Sequence, residues 1–244
     1  MKNFRLTVEY DGSRYSGWQR QGNTKNTIQY KFEEILFKML GTKTEIFASG
    51  RTDSGVHAKG QVFNFKCETS LNETEIIRYI NRYLPEDIRV LSVENVPLRF
   101  HSRLNVRSKT YRYRMYFGEK CSVFDRKYVT LIDEMPDVGL MRKGAEKLIG
   151  LHDFKGLSTK STKKSTQREI YKIDIIQNNG YIDILVSGNG FLYNMVRIIV
   201  GTLYELGTGK RNLESIDEIL DKCDRSFAGI TMPPQGLCLM NVEY

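Results

Sequence analysis

One carboxylate between glycines is the strongest chemical candidate in this chain. In Gly50-Arg51-Thr52-Asp53-Ser54-Gly55-Val56-His57-Ala58, Asp53 lies on a short loop between two apolar runs, residues 44–49 and 61–66. Glycines on both sides permit close backbone approach and dihedrals closed to other residues. Arg51, two positions away, would hold a neighbouring carboxylate ionised, the state a nucleophile requires. The same residue types also suit an Asx-turn in a hairpin, with Asp53 bonded to its own backbone. On local sequence alone both readings stand.

The other residues able to do chemistry are scattered. His57, His101 and His152 are the only histidines, and none is paired at metal or triad spacing. Cys67, Cys121, Cys223 and Cys238 lack the short paired spacings of a zinc site. They are expected to be free, mostly buried thiols of a reducing compartment. No phosphate-cradling glycine loop is present. His57 and His152 read as groups that fix loops, and His101 as an RNA contact.

A net charge of +8 and a pI near 9.2 suit a polyanionic partner. Arg99, Arg103, Arg107, Lys109, Arg112 and Arg114 interleave with Phe100, Tyr111, Tyr113 and Tyr116. Residues 155–164 add a second basic segment rich in Ser and Thr. Alternating cations and aromatics fit phosphate contact with base stacking. A solvated strand face over core tyrosines gives the same pattern.

The elements that must position these residues follow from periodicity. Phe4, Leu6, Val8 and Tyr10 alternate with polar residues as a strand. A start of this kind is unlike a signal peptide, and no apolar run is long enough for a membrane span. A cytoplasmic protein is therefore expected. A glycine-containing loop over 11–26 leads to a helix over 27–40, whose apolar residues recur every three or four positions and which Gly41 closes. Ser70 with Glu73 predicts a capping box for a helix ended by Pro85. Strands are predicted over 88–96 and 109–117. The second half gives a helix over 137–149, a turn at His152-Asp153-Phe154, and strands over 167–176 and 181–187 around Asn178-Asn179-Gly180. Helices over 191–206 and 213–222 and a strand over 237–243 complete it. Hairpins and helices without regular alternation argue for an α+β fold with a largely antiparallel sheet. The expected organisation is two α/β subdomains, 1–105 and 106–244, sharing that sheet around a central catalytic cleft. The first carries the Asp53 loop and the second completes the cleft.

The nine-residue loop resembles the signature of the tRNA pseudouridine synthase A family, and five further motifs follow in that family's order. Tyr10-Asp11-Gly12 with Tyr15-Ser16-Gly17-Trp18-Gln19-Arg20-Gln21 is similar to its opening motif. Phe100-His101-Ser102-Arg103 with Lys109-Thr110-Tyr111-Arg112-Tyr113 resembles its central one. Gly150-Leu151-His152-Asp153-Phe154 resembles a third, and Phe191-Leu192-Tyr193-Asn194-Met195-Val196-Arg197, running to Gly201, a fourth. Pro233-Pro234-Gln235-Gly236-Leu237 matches the closing strand. Ser102 and Leu104 depart from the more usual Ala and Phe, and Tyr193-Asn194 stands where some relatives carry two histidines.

The resemblance implies a cofactor-independent and metal-free isomerase acting on uridines of the tRNA anticodon arm. It carries the essential carboxylate to Asp53, the base-stacking tyrosine to Tyr111 and the arginine that pairs with the carboxylate to Arg197. Attack on the base, attack on the ribose and proton abstraction from the ribose all begin from an ionised Asp53. Arg51 would help extrude the target nucleotide, with His57, Arg103 and Lys109 as further substrate-binding residues. By spacing alone, Tyr111 is equally a core aromatic and Arg197 a snorkelling surface residue. Family members are homodimers with tRNA across both subunits. Two rivals remain: an RNA-binding module without chemistry, and a glycosidase, which would need a second carboxylate flanking the bond.

Overall fold

A computed structural model describes residues 1–160 and 165–244, so residues 161–164 of the second basic segment lie outside the described residues. Contacts divide the chain into two compact units, Met1–Arg107 with Cys238–Tyr244, and Ser108–Leu237. Each mixes helices with mostly antiparallel strands, the α+β arrangement expected.

In the first unit β1 (Lys2–Tyr10) pairs antiparallel with β3 (His57–Cys67) and β4 (Ile88–Val96). The short β2 (Ile46–Ala48) pairs antiparallel with β3, and β10 (Leu237–Glu243) joins the start of β3 in parallel. The alternation of β1 places Phe4, Leu6, Val8 and Tyr10 in the core. α1 (Ile28–Leu40) begins at Thr27, whose side chain accepts from the Tyr30 amide, and ends on Gly41 in the left-handed region. Its Phe32 meets Phe63 of β3 at 4.8 Å between ring centroids, and Trp18 closes the cluster at 1% exposure. Trp18 is thus a core residue, worth a few kcal/mol of apolar burial, about what any fully buried large side chain contributes.

Two expectations shift here. β3 starts at His57, so the functional loop is shorter than the 50–60 interval between the predicted strands. Tyr10 and Cys238 supply partners for Ala58 and His57 and so extend the ladder. The second shift concerns α2 (Glu73–Tyr83), which is capped by Asn72 and Glu75 rather than Ser70 and Glu73. Both pairs have the right spacing, and only the later one closes both bonds: Glu75 N to Asn72 Oδ1 at 3.0 Å and Asn72 N to Glu75 Oε2 at 2.8 Å. Asn72→Ala is expected to cost about 1 kcal/mol. In thermal denaturation this lowers Tm by about 3 °C, whereas Ser70→Ala leaves it unchanged.

In the second unit β5 (Ser108–Phe117) pairs with β9 (Tyr181–Gly188), β9 with β8 (Gln167–Asn178), and β8 with β7 (Gly150–Asp153), all antiparallel. A short β6 (Thr130–Ile132) runs parallel to β5. Asn179 and Gly180 form the β8–β9 hairpin with φ of 49° and 80°, the double positive φ of a type I′ turn. Helices α3 (Val138–Glu146) and α4 (Met195–Gly207) pack with this sheet and with each other, and α5 (Glu214–Lys222) packs against the 3-10 turns at Lys155–Leu157 and Arg225–Phe227. α4 is apolar almost all round and buried almost all round, as such a helix must be. It starts at Met195 rather than at residue 191, because Asn194 takes φ 61°, outside the helical region. His152 and Asp153 lie in β7, opposite Arg168 and Gln167, and the chain turns only after them. That strand depends on a partner that the local sequence does not announce.

Candidate active site

Asp53 occupies the first position of a tight turn. The Val56 amide donates to the Asp53 carbonyl at 3.1 Å, and Gly55 takes φ 77°, the positive φ that the third position of a type II turn needs. Asp53 is half-buried, Arg51 is exposed, and Thr52 between them is buried.

Three segments grip this turn. From β1, the Tyr10 hydroxyl meets Thr52 Oγ1 at 2.8 Å, and from the stretch between β1 and α1 the Trp18 amide donates to the Thr52 carbonyl at 3.0 Å. Ser54 Oγ donates to the Tyr15 carbonyl at 3.0 Å. Gly17 approaches so closely that a Cβ there would lie 2.8 Å from the Thr52 oxygen, at a φ of 90° that also favours glycine. From β3, Gln61 accepts the Ser49 hydroxyl at 2.7 Å and donates to the Gly50 carbonyl at 3.1 Å. The opening motif and the Asp53 loop are thus one backbone-to-backbone construction.

His57, 4% exposed, ties the same assembly together: the Gly12 amide donates to its Nδ1 at 3.0 Å. Asp11 Oδ1 lies 3.2 Å from the same nitrogen. Asp11 also caps the 3-10 turn that follows, accepting from the Ser13 amide and hydroxyl. Asp87, which the sequence did not single out, accepts the Tyr15 hydroxyl at 2.6 Å and two Arg14 nitrogens. Burial, then the bond to Asp87, pushes the Tyr15 phenol well above its ordinary range.

The central motif is anchored by buried amides. Asn64 of β3 donates to Asn3 Oδ1 and accepts the Ser102 amide at 2.8 Å, while Asn3 donates to the carbonyls of Pro97 and Phe100. His101 packs on Phe47, and its Nδ1 accepts the Arg103 amide, leaving the Arg103 side chain exposed. Tyr244 closes this end: its hydroxyl donates to the Ser102 carbonyl, and burial raises it to about 12.

The second unit carries Lys109, Tyr111 and Arg197. Lys109 and Tyr111 lie on β5 opposite Gly188 and Val186 of β9. Tyr111 is 8% exposed and meets Phe191 edge to face at 5.3 Å. Arg197, half-buried on the first turn of α4, donates from Nε to the Met232 carbonyl at 2.6 Å and from Nη1 to Asn194 Oδ1 at 2.9 Å. Further along β5, Arg114 is bidentate to Asp183, with Arg112 nearby, and Tyr113 is a core residue bonded to Thr130 and Pro233. Part of the cation–aromatic alternation therefore serves internal packing. Arg99, Arg103 and Arg107 stay exposed in the first unit.

The predicted set thus falls on both units, with Arg51, Asp53, His57 and Arg103 in the first and Lys109, Tyr111 and Arg197 in the second. Among the described residues, no cluster of His, Cys, Asp and Glu is placed to hold a metal ion, and no helix is long and apolar enough to cross a membrane. None of the four cysteines forms a disulfide, and two of them, Cys67 and Cys238, are buried.

The family model described as tRNA pseudouridine synthase matches residues 6–105 and 145–244. A protein named tRNA pseudouridine synthase A 2 from Bacillus cereus is 45% identical, over 100% of both chains. A tRNA pseudouridine synthase A from a Bacillus species, strain KSM-64, is 47% identical, and one from Clostridium tetani 44%, each over the full length of both chains. Among solved structures, a chain of a Cbf5-Nop10-Gar1 complex aligns over 97% of this chain at 11% identity and a TM-score of 0.41, and this chain spans 48% of its length. On the full-length matches, this chain belongs to the tRNA pseudouridine synthase family.

Proposed function

We propose that this protein isomerises uridine to pseudouridine in the anticodon stem-loop of tRNA, at positions 38, 39 and 40, with Asp53 as the catalytic carboxylate. The N1–C1′ glycosidic bond breaks, the uracil rotates, and C5 bonds to C1′, while the C5 proton leaves to solvent and N1 takes up a proton from solvent. The atoms balance without oxidant, reductant or cofactor. The uridine must leave its stack to reach a carboxylate on a loop, and Arg51, exposed beside Asp53, fills the vacated place. Tyr111 stacks on the flipped base. Arg197 supplies the charge that keeps the carboxylate ionised.

Arg103 and Lys109 contact RNA phosphates, and His57 serves substrate binding through the loop it holds. The protein works in the cytoplasm as a homodimer, with tRNA lying across both copies. The observation that most supports this reading is full-length identity of 45% to a tRNA pseudouridine synthase A 2, with an aspartate at the head of a turn gripped by three segments.

The test uses transcribed tRNA with uridines tritiated at C5. Tritium should enter water in proportion to the uridines at positions 38 to 40, and transcripts with cytidine at those positions should release none. Release that persists from the cytidine transcripts would overturn the anticodon-arm assignment. Free uracil in place of pseudouridine would point to a hydrolase.

A further inference from the structure

The geometry points to Glu205 as a positioning residue for Arg197, acting through the backbone of Ala228–Met232. The inference rests on the role given above to Arg197. Arg197, Gly201 and Glu205 recur every four residues along α4, so they share one face over about 12 Å of helix. The segment Ala228–Met232 runs antiparallel along that face and is held at nearly every residue.

The ties begin at the end of α4 away from Arg197. Glu205 Oε1 accepts the Ile230 amide at 3.1 Å. Its Oε2 accepts from Arg211 Nε, and Arg211 in turn donates to the Phe227 carbonyl at 2.5 Å. Thr202 Oγ1 accepts the Gly229 amide at 3.0 Å. Gly201 lets the strap lie against the helix, since a Cβ there would sit 2.0 Å from the Ile230 oxygen. At the near end the Met232 amide donates to the Arg197 carbonyl at 3.3 Å, and the Met232 carbonyl receives Arg197 Nε at 2.6 Å. The Tyr113 hydroxyl fixes the next carbonyl, that of Pro233, at 2.7 Å.

A guanidinium on a long side chain has several rotamers. This one is aimed because its Nε acceptor belongs to a strap that cannot slide. The Glu205 and Arg211 side chains are only 15% and 21% exposed, so their bond is little screened by water. A clamp serving stability alone would not have to end on a carbonyl that bonds the side chain of Arg197. In this arrangement Glu205 touches neither substrate nor the reacting atoms, and its effect passes through Met232.

The test uses full-length protein labelled with 15N, with the Arg197 Nε–H signal assigned by its loss in Arg197→Lys. Glu205→Gln keeps the side-chain volume and an acceptor for Ile230 but loses its grip on Arg211. Arg211→Met removes the tie to Phe227 and leaves Glu205 in place. Both are expected to speed solvent exchange of the Arg197 Nε–H and to lower the single-turnover rate by about ten-fold, as misplaced reacting geometry does. Affinity for tRNA should stay within about two-fold, and Glu205→Gln should add no further loss in the Arg197→Lys background. Unchanged Nε–H exchange in both variants, with a lowered Tm, would overturn the inference and leave a clamp for stability only. Faster exchange with an unchanged rate would uphold the positioning and overturn the role of Arg197.

Discussion

Asp53→Asn should abolish tritium release from C5-labelled tRNA, with a loss of at least about 1,000-fold, because an amide cannot act as the nucleophile or as a base. The substitution keeps size and shape, and Asp53 is only half-buried, so Tm should move by less than about 2 °C, the shift that goes with about 0.5 kcal/mol. Asp53→Glu keeps the charge but moves it by one methylene. On a turn closed by the Val56-to-Asp53 bond the backbone cannot retreat to compensate, and a displacement of about 1 Å costs about 100-fold. Measured side by side, the two variants separate charge from placement. Wild-type rate in Asp53→Asn would remove Asp53 from the mechanism altogether.

The same assay separates the rivals. An RNA-binding module would hold tRNA equally well with or without the Asp53 carboxylate, and would give no product even in the wild-type chain. A glycosidase would release uracil. Pseudouridine recovered from wild type, and tRNA still bound by a silent Asp53→Asn, fits the isomerase alone.

Local periodicity made much of the fold legible. The alternation of β1, the Thr27 start and Gly41 end of α1, and the Asn179-Gly180 hairpin each depend on residues within a few positions of one another. What the sequence hid depends on partners far along the chain. β7 exists because β8 pairs with it, and β3 reaches back to His57 because Tyr10 and Cys238 flank that end. The choice between Ser70 and Asn72 as cap turned on which pair closes both bonds, which spacing cannot tell.

The candidate site divides in the same way. Asp53 between glycines was visible, but its residue types suit an ordinary turn equally well, and only the ordered motifs distinguished it. Its support was not visible: the Tyr10 hydroxyl on Thr52, the Gly12 amide on His57, and Gln61 on Gly50 join segments far apart in sequence. Buried Asn3 and Asn64 were hidden for another reason. They lie on strands where polar residues were expected to face water, whereas Asn64 sits on β3, which is buried on both faces, and Asn3 on β1 is covered by Asn64 and the Pro97 and Phe100 carbonyls that it bonds.

Gly12→Ala should be the most damaging single-methyl change near Asp53. A Cβ at Gly12 would lie 2.0 Å from the Val56 oxygen and 2.6 Å from its carbonyl carbon, and both are backbone atoms of the turn that Asp53 heads. A side-chain tip could swing aside, but here the turn or the 3-10 segment itself must move. Overpacking of this kind costs about 3 kcal/mol, which lowers Tm by about 6 to 12 °C in a chain of this size. The displacement would also stretch the bond from the Gly12 amide to His57 Nδ1 and shift Asp53 by about 1 Å, for a further rate loss of about 100-fold. Gly22→Ala is the control, since nothing lies within 4 Å of a Cβ there, and it should leave both Tm and rate near wild type. If Gly12→Ala behaved like that control, the close approach of the opening motif to the Asp53 turn would not be what holds the carboxylate in place.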